Sequence, residues 1–312
     1  MKITIIGAGA IGTMLAVLLA NKENKISLLV KKGNESNREI TLNNFHGETI
    51  RKRVEIINKL DEPDWCILAV KSYDIEGLIV TLKKRKTSIL CCQNGIRTYN
   101  LLQKEIDKKR LAYMVTGIGC SKIETGKAEF KGSGFTFIGK FSGRTEGRIK
   151  ELSKKINEAG IACRVVENIF NYVWLKTIIN SSINPVAAYN KVVNGRLKEP
   201  NLNIQVEKIC KESSLIAQKI GIKLPLDPWK EVINIIRNTS NNKCSMLQDL
   251  ENGNRTEIDS INGEIIRIAN TNNLNCYKLE LLMLFYSFSI PSTLEKKSYQ
   301  YLQKLCAEYN SS

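Results

Sequence analysis

Short runs of apolar, often β-branched residues alternate with polar stretches over the first half of the chain. The first run, at residues 2–6, predicts a strand, and the apolar stretch after the following glycine-rich turn predicts a helix at 13–21. Further runs of the same kind predict strands at 25–30, 65–70, 88–92, 111–119, 135–139 and 161–166. Strands separated by helices or loops at this spacing are typical of a doubly wound parallel sheet in an α/β fold.

After residue 166 the pattern changes to a helical one, with apolar residues recurring three and four positions apart. It predicts helices at 168–180, 202–220, 228–238, 257–270 and 277–288, and we expect Pro185 to kink or end the first of them. We therefore place a domain boundary near residue 167. The prediction is an α/β domain at 1–167 followed by an all-helical domain at 168–312.

The turn after the first predicted strand carries glycines spaced G-x-G-x-x-G. In that spacing the first glycine permits a tight turn, the second lets a pyrophosphate approach the backbone, and the third lets helix and strand pack closely. We therefore expect a Rossmann dinucleotide-binding domain whose phosphate-binding residues are Gly7, Ala8, Gly9, Ala10, Ile11 and Gly12. The alternative, a signal peptide or membrane span at 3–20, is disfavoured because three glycines would weaken a membrane helix.

Cationic and amide side chains follow three of the predicted strands. Lys31 and Lys32 end the second strand, where an enzyme that uses the unphosphorylated dinucleotide usually carries Asp or Glu. Two cations there favour the 2′-phosphate of NADP(H); two solvated lysines are the alternative. Lys71 and Asn94 follow later strands, and the carboxyl ends of strands border the ligand crevice of such sheets. We expect both to bind the cofactor, with ordinary loop positions as the alternative.

Composition narrows the partners and the chemistry. The 47 Lys and Arg outnumber the 31 Asp and Glu, but the basic runs at 83–86 and 108–110 lack interleaved aromatics, so we expect no nucleic-acid partner. Because the glycines disfavour a membrane span, we expect no membrane partner either. A basic field would instead attract an anionic cofactor and substrate. The 9 scattered cysteines and the single histidine exclude a disulfide framework, a Ser-His-Asp relay and a histidine-rich metal site. We expect a cytoplasmic chain with reduced thiols and no metal.

The helical half holds the most specific set of polar residues. Lys176, Asn180 and Asn184 are spaced i, i+4, i+8 and share one helix face beside apolar residues. A solvated stripe is the alternative. Glu257 opens a later predicted helix, where the helix dipole favours a carboxylate, although capping alone would account for it.

These residues together resemble the ketopantoate reductase family over nearly the full length. The resemblance rests on segments at 7–12, 70–71, 93–95, 174–180, 183–185, 194–195, 245–249 and 256–263. It implies NADPH-dependent reduction of 2-dehydropantoate to (R)-pantoate in pantothenate biosynthesis, by a monomer or homodimer acting on a small-molecule 2-keto acid. Asp74 departs from the family, which often has glutamine there.

The resemblance also implies roles for individual residues. Lys176 matches the catalytic lysine, and Asn94 matches a residue between cofactor and active site. The substrate-binding positions are Asn94, Lys176, Asn180, Asn184, Asn194, Asn242, Ser245 and Glu257. The chemistry agrees, because hydride arrival at a ketone makes its oxygen negative and a nearby ammonium can stabilise it and donate a proton. Glu257 is then a second catalytic residue that orients the lysine.

Two other functions remain open on the sequence alone. One is an NADP(H)-dependent 2-hydroxyacid dehydrogenase of the same fold that acts on another branched 2-keto acid, since fold does not fix substrate. The other is a dinucleotide-sensing regulatory or nucleic-acid-binding protein, which only the basic charge favours.

Overall fold

The chain divides into two units in a computed structural model that describes residues 1–30, 36–44, 47–141, 147–277 and 279. The first unit comprises Met1–Gln93 and Thr98–Tyr172, and the second comprises Asn94–Arg97 and the chain from Val173 onwards. The predicted boundary near residue 167 stays a prediction. Lys31, Lys32 and nearly all of the predicted helix at 277–288 lie outside the described residues.

One mixed sheet holds the eleven strands of the described residues. The strands are β1 Lys2–Ile6, β2 Lys25–Leu29, β3 Ser36–Asn43, β4 Thr49–Ile57, β5 Trp65–Leu68, β6 Ser88–Cys91, β7 Leu111–Thr116, β8 Gly119–Glu124, β9 Lys127–Gly132, β10 Thr136–Lys140 and β11 Cys163–Val165. Their order is β11-β10-β7-β6-β5-β1-β2-β4-β3-β9-β8. The six strands from β7 to β4 in this order pair in parallel, and β10 runs antiparallel to β7. The predicted α/β fold class is confirmed.

Five of the six parallel strands, all except β4, were predictable because they are mostly apolar. Every residue of β5 and β7 is buried, as expected for strands covered on both faces. The prediction missed β3, β4, β8 and β9, whose polar residues obscure the apolar pattern; β4, for example, alternates only partly and pairs Arg51 with Glu39 of β3 at 3.1 Å. The predicted strand at 111–119 was too long, since β7 ends at Thr116. The Gly117 N–H then donates to the Phe135 carbonyl, and β8 begins at Gly119.

Nine α-helices lie in the described ranges. They are α1 Ala10–Leu19, α2 Ile79–Lys83, α3 Arg97–Glu105, α4 Arg148–Glu158, α5 Ile169–Tyr189, α6 Pro200–Lys219, α7 Pro228–Asn238, α8 Ser245–Glu251 and α9 Glu264–Thr271. Both α6 and α7 begin at a proline, whose missing N–H would have no partner in the first helical turn anyway. No helix of this described part is long and apolar enough to cross a membrane.

Helix α5 corrects one of the two expectations for Pro185, because this proline does not end the predicted helix at 168–180. The expected kink stays a prediction. The helix continues through Pro185 to Tyr189. A proline at 185 has no N–H for the carbonyl four residues earlier, which belongs to Ser181. That carbonyl instead accepts a hydrogen bond from the Asn262 amide at 3.1 Å. A side chain from another segment therefore compensates for the lost backbone bond.

The segment predicted as one helix at 257–270 starts with a wider turn. Asp259–Gly263 form one turn of π-helix, called the π-turn below, and α9 follows it to Thr271. Glu257 lies directly before the helical segment, and its carbonyl accepts from the N–H groups of Ser260 and Ile261 at 3.0 and 3.2 Å.

The cysteine thiols give a pH-dependent contribution to stability. Eight cysteines are described and none of the eight forms a disulfide. Burial raises the pKa of Cys210 and Cys244 to about 11 and that of Cys120 to about 12. Unfolded thiols titrate near pH 8.5, so above that pH the unfolded chain releases protons that the folded chain keeps.

We therefore expect the free energy of unfolding to fall as the pH rises from about 8 to 9.5. The slope for each strongly shifted thiol approaches about 1.4 kcal/mol per pH unit once the unfolded thiol is fully ionised, and it is about half of that near pH 8.5. Urea unfolding at a series of pH values measures the slope, and Cys244→Ala is expected to reduce it. An unfolding free energy that stays level over this range would contradict the expectation.

Candidate active site

The turn between β1 and α1 brings its glycines into close contact with the end of β5. Gly7 has a φ of +112°, and a Cβ added at Gly12 would lie 1.9 Å from the Gly7 carbonyl oxygen. Glycine at 12 therefore lets α1 pack closely against the turn, and α1 begins at Ala10, three residues before the predicted start. A Cβ on Gly9 would have only the Ala69 carbonyl within 4 Å, at 3.8 Å. The turn thus has open space beside Gly9.

The N-terminus of α1 supplies donors at this turn. Gly9 is the N-cap and has no side chain to accept the first N–H groups of the helix. Such N–H groups carry the positive end of the helix dipole and bind phosphate in many proteins. The start of α1 therefore offers backbone donors at 7–12, where a dinucleotide site is predicted.

Gln93 fixes the segment that carries Lys71. Its side-chain amide donates to the backbone carbonyls of Leu68 and Val70 at 2.7 and 3.0 Å. The backbone carbonyl of Gln93 accepts from the Tyr113 hydroxyl at 3.0 Å. Lys71 is half-buried and directly precedes a short 3₁₀ turn at Ser72–Asp74. Sequence reasoning did not assign Gln93 a role, although a glutamine that ends a buried strand was a visible signal.

Three predicted site residues form one hydrogen-bonded cluster within the second unit. The Asn94 amide donates to Glu257 Oε2 at 3.3 Å, and the Asn180 amide donates to Asn94 Oδ1 at 3.5 Å. Glu257 is buried, with 8% of its surface exposed. The cluster therefore places one carboxylate and two neutral amides together, although Asn94 is 163 residues from Glu257 in the sequence.

Gly95 lets the Asn94 loop contact the π-turn. The Ile96 N–H donates to the Ser260 carbonyl at 3.1 Å. Gly95 has a φ of +85°, and a Cβ there would lie 2.0 Å from the same carbonyl oxygen. Gly95 was not among the predicted site residues. The Asn-Gly dipeptide after a strand was the signal, since it is typical of a turn with positive φ.

The other two predicted residues of α5 lie on the same face as Asn180. Lys176 is half-buried one helical turn before Asn180, and Asn184 is buried one turn after it. The Asn184 carbonyl accepts a hydrogen bond from the Cys244 thiol at 3.5 Å. None of these three side chains is fully exposed, so their face is not an ordinary solvated stripe.

A second group of predicted residues lies around the connection between α7 and α8. Asn194 is buried, donates its side-chain amide to Thr239 Oγ1 at 2.8 Å, and donates its N–H to the Asn242 carbonyl at 3.0 Å. Asn242 and Ser245 are exposed, and Ser245 is the first residue of α8. Their roles in substrate binding stay predictions. No cluster of three or more metal-ligating side chains occurs in the described ranges.

Comparison with known families covers both units. Residues 3–143 match the family described as "Ketopantoate reductase PanE/ApbA", and residues 168–286 match "Ketopantoate reductase PanE/ApbA C terminal". The chain belongs to the ketopantoate reductase family. The resemblance inferred from the motifs is thereby confirmed, and so is the prediction of an oxidoreductase.

Individual members of the ketopantoate reductase family match over most of their length. A 2-dehydropantoate 2-reductase of Pyrococcus horikoshii is 36% identical over 88% of this chain and 92% of its own. A 2-dehydropantoate 2-reductase of Aquifex aeolicus is 30% identical over 86% of this chain and 90% of its own. Among solved structures, a 2-dehydropantoate 2-reductase of Geobacter metallireducens has a TM-score of 0.82 at 22% identity, covering 92% of this chain and 99% of its own. A D-mandelate dehydrogenase with NADH and anilino(oxo)acetate has a TM-score of 0.81 at 23% identity, covering 93% and 98%.

Proposed function

We propose that the chain reduces 2-dehydropantoate to (R)-pantoate with NADPH, as a step of pantothenate biosynthesis. The observation that carries the proposal is the buried Glu257 carboxylate joined through Asn94 to Asn180, with Lys176 one turn away on the same face of α5. The relatives of Pyrococcus horikoshii and Aquifex aeolicus, both named 2-dehydropantoate 2-reductase, support the choice of substrate.

Each side chain of the cluster has a role in this reaction. When bound, the cofactor's nicotinamide supplies a hydride to the ketone carbon. The Lys176 ammonium stabilises the negative charge that develops on the ketone oxygen and donates the proton that completes the alcohol. Glu257 accepts a hydrogen bond from the substrate hydroxyl and orients the lysine. Asn180 and Asn184 donate to substrate oxygens through their amides.

The same reasoning applies to the cofactor residues. The backbone N–H groups at the start of α1 bind the pyrophosphate, and the space beside Gly9 lets it approach. Lys71 and Asn94 contact the cofactor from the ends of β5 and β6. We propose a cytoplasmic enzyme without a metal or nucleic-acid partner, active as a monomer or homodimer.

A panel of 2-keto acids tested with NADPH decides the substrate. Turnover of 2-dehydropantoate with kcat/KM well above that of other branched or aromatic 2-keto acids supports the proposal. The second candidate, a 2-hydroxyacid dehydrogenase for another branched 2-keto acid, is favoured by the similar fold of the D-mandelate dehydrogenase. A higher kcat/KM for such an acid would favour that candidate instead.

NADPH is expected to give a higher kcat/KM than NADH. Lys31 and Lys32 follow the second strand and are able to form charge-assisted hydrogen bonds with the 2′-phosphate, so changing both to alanine should narrow the preference by about tenfold. Steady-state kinetics with both cofactors measure this. Lys25→Ala, at the opposite end of β2 and exposed, is the matched control and should leave the ratio unchanged. Equal use of the two cofactors by the unaltered protein would contradict the assignment.

A further inference from the structure

The hydrogen bond from Asn262 to Ser181 joins two segments of the candidate site. Asn262 belongs to the π-turn, and Ser181 directly follows Asn180 in α5. The carbonyl of Ser181 is the one that Pro185 leaves without a backbone N–H, and the Asn262 amide donates to it at 3.1 Å. Both residues are completely buried. The bond therefore replaces a missing backbone bond within the core of the second unit.

This arrangement is costly if stability alone is considered. The second polar atom of the same side chain, Asn262 Oδ1, is buried without a hydrogen-bond partner among the described residues. A buried oxygen without a partner destabilises a fold, whereas alanine at 185 and an apolar residue at 262 would remove both the missing bond and that oxygen. The pairing of Pro185 with Asn262 thus needs a reason other than stability.

The position of the π-turn supplies that reason. Its Ser260 carbonyl accepts from Ile96 in the Asn94 loop, and its Asn262 amide donates to Ser181 in α5. Glu257 lies two residues before the first residue of the same turn. One turn thus holds both the Asn94 loop, whose amide donates to the Glu257 carboxylate, and α5, whose Asn180 amide donates to Asn94.

We propose that Asn262 is a positioning residue, which sets α5 against the π-turn so that Asn180 donates to Asn94, the residue that donates to Glu257. It touches no reacting atom itself. Without its amide, α5 shifts at the Pro185 interruption, and the side chains on its substrate-facing side move relative to Glu257. The effect on turnover rests on the proposed reductase function, whereas the effect on α5 does not.

The test is a double-mutant cycle that uses Asn262→Leu, Pro185→Ala and the two combined. Asn262→Leu should lower kcat/KM for the keto acid by about 10- to 100-fold, the range expected for a small displacement of binding groups. The KM for NADPH should change less than about twofold, because the glycine turn belongs to the first unit. In the Pro185→Ala background residue 185 again has an N–H for the Ser181 carbonyl, so adding Asn262→Leu should cost less than about threefold.

Asn190→Leu is the matched control. The Asn190 amide also donates to a carbonyl of α5, that of Val186 at 2.8 Å, but Asn190 is exposed near the end of the helix. Its kcat/KM should stay within about twofold of the unaltered protein, as expected for a surface change. A comparable loss in this variant would show that any weakened bond along α5 has the same effect, and would overturn the proposal.

Hydrogen exchange provides a readout that does not depend on the reaction. The backbone amides around 181–186 should exchange faster in Asn262→Leu than in the unaltered protein, and this increase should shrink in the double variant. The proposal would be overturned if Asn262→Leu lowered kcat/KM by the same factor with Pro185 and with Ala at 185. It would also be overturned if the loss of turnover equalled the fraction of unfolded protein. If Asn262→Leu alone does not fold, the test is made in the Pro185→Ala background. There, a loss of kcat/KM above threefold on adding Asn262→Leu would overturn the proposal.

The proposed function is tested separately. If the unaltered protein turns over no 2-keto acid, the reductase assignment fails while the exchange measurements still decide the role of Asn262.

Discussion

Lys176→Ala is expected to lower kcat for keto-acid reduction by about two to four orders of magnitude, the range that general acid catalysis usually supplies. The loss arises because the ketone oxygen would develop its charge without the ammonium and would take its proton from water. NADPH affinity should hardly change, because the glycine turn lies in the first unit. Steady-state kinetics and NADPH titration measure the two quantities.

Lys208→Ala is the control for this variant, since Lys208 is an exposed lysine on α6 of the same unit. Its kinetics should match those of the unaltered protein. Near-normal turnover by Lys176→Ala across the panel of keto acids would refute the catalytic assignment and leave Lys176 as an ordinary helix residue.

Glu257→Ala should act differently from Lys176→Ala. It should mainly raise KM for the keto acid, because a hydrogen bond to the substrate hydroxyl exists in the ground state as well as in the transition state. In kcat, the double variant should be little worse than Lys176→Ala alone, since an orienting carboxylate then has nothing to orient. Additive losses in kcat would show that Glu257 acts independently of the lysine.

Gly95→Ala is expected to lower kcat/KM by about 100-fold or more, a loss known for displacements of about 1 Å in active sites. The added methyl would lie 2.0 Å from the Ser260 carbonyl oxygen, and the positive φ of residue 95 adds strain for any side chain. The Asn94 loop must move away from the π-turn, so the hydrogen bond from Asn94 to Glu257 is lost. Kinetics and thermal unfolding of the purified variant measure the effect.

Gly77→Ala is the matched glycine change, because a Cβ there has no atom within 4 Å and the backbone has no positive φ. It should change neither kcat/KM nor the unfolding temperature appreciably. Full activity in Gly95→Ala would mean that the loop tolerates the displacement and that the contact between Asn94 and Glu257 is not needed for turnover.

The pattern of apolar residues and glycines within single segments predicted the buried strands and the first turn of the fold. The buried strands β1, β5 and β6 are mostly apolar runs, and the glycine spacing at 7–12 fits the turn that the structure contains. The continuation of α5 through Pro185 was not predictable in this way, because the compensating Asn262 lies 81 residues away in the sequence.

The site was predictable to the extent that motifs identify its residues. The sequence predicts Asn94 from its place after a strand and Asn180 from its helix spacing, and the resemblance to the family adds the roles of both and of Glu257. Their hydrogen bonds, and the dependence of those bonds on Gly95, are long-range properties that no periodicity encodes. The polar strands β3 and β9 were missed for a related reason, since their pairing with each other is decided by the sheet and not by their own hydrophobicity.

The second unit is discontinuous in sequence, since Asn94–Arg97 belong to it although the chain on either side belongs to the first. This affects the design of chimeric enzymes. A crossover near residue 167 between two homologous reductases would combine the four-residue loop of one parent with the π-turn of the other. The close contact between residues 95 and 260 would then join two different parents, although each nominal domain comes from one parent. Recombination of such enzymes should transfer residues 94–97 together with the helical part.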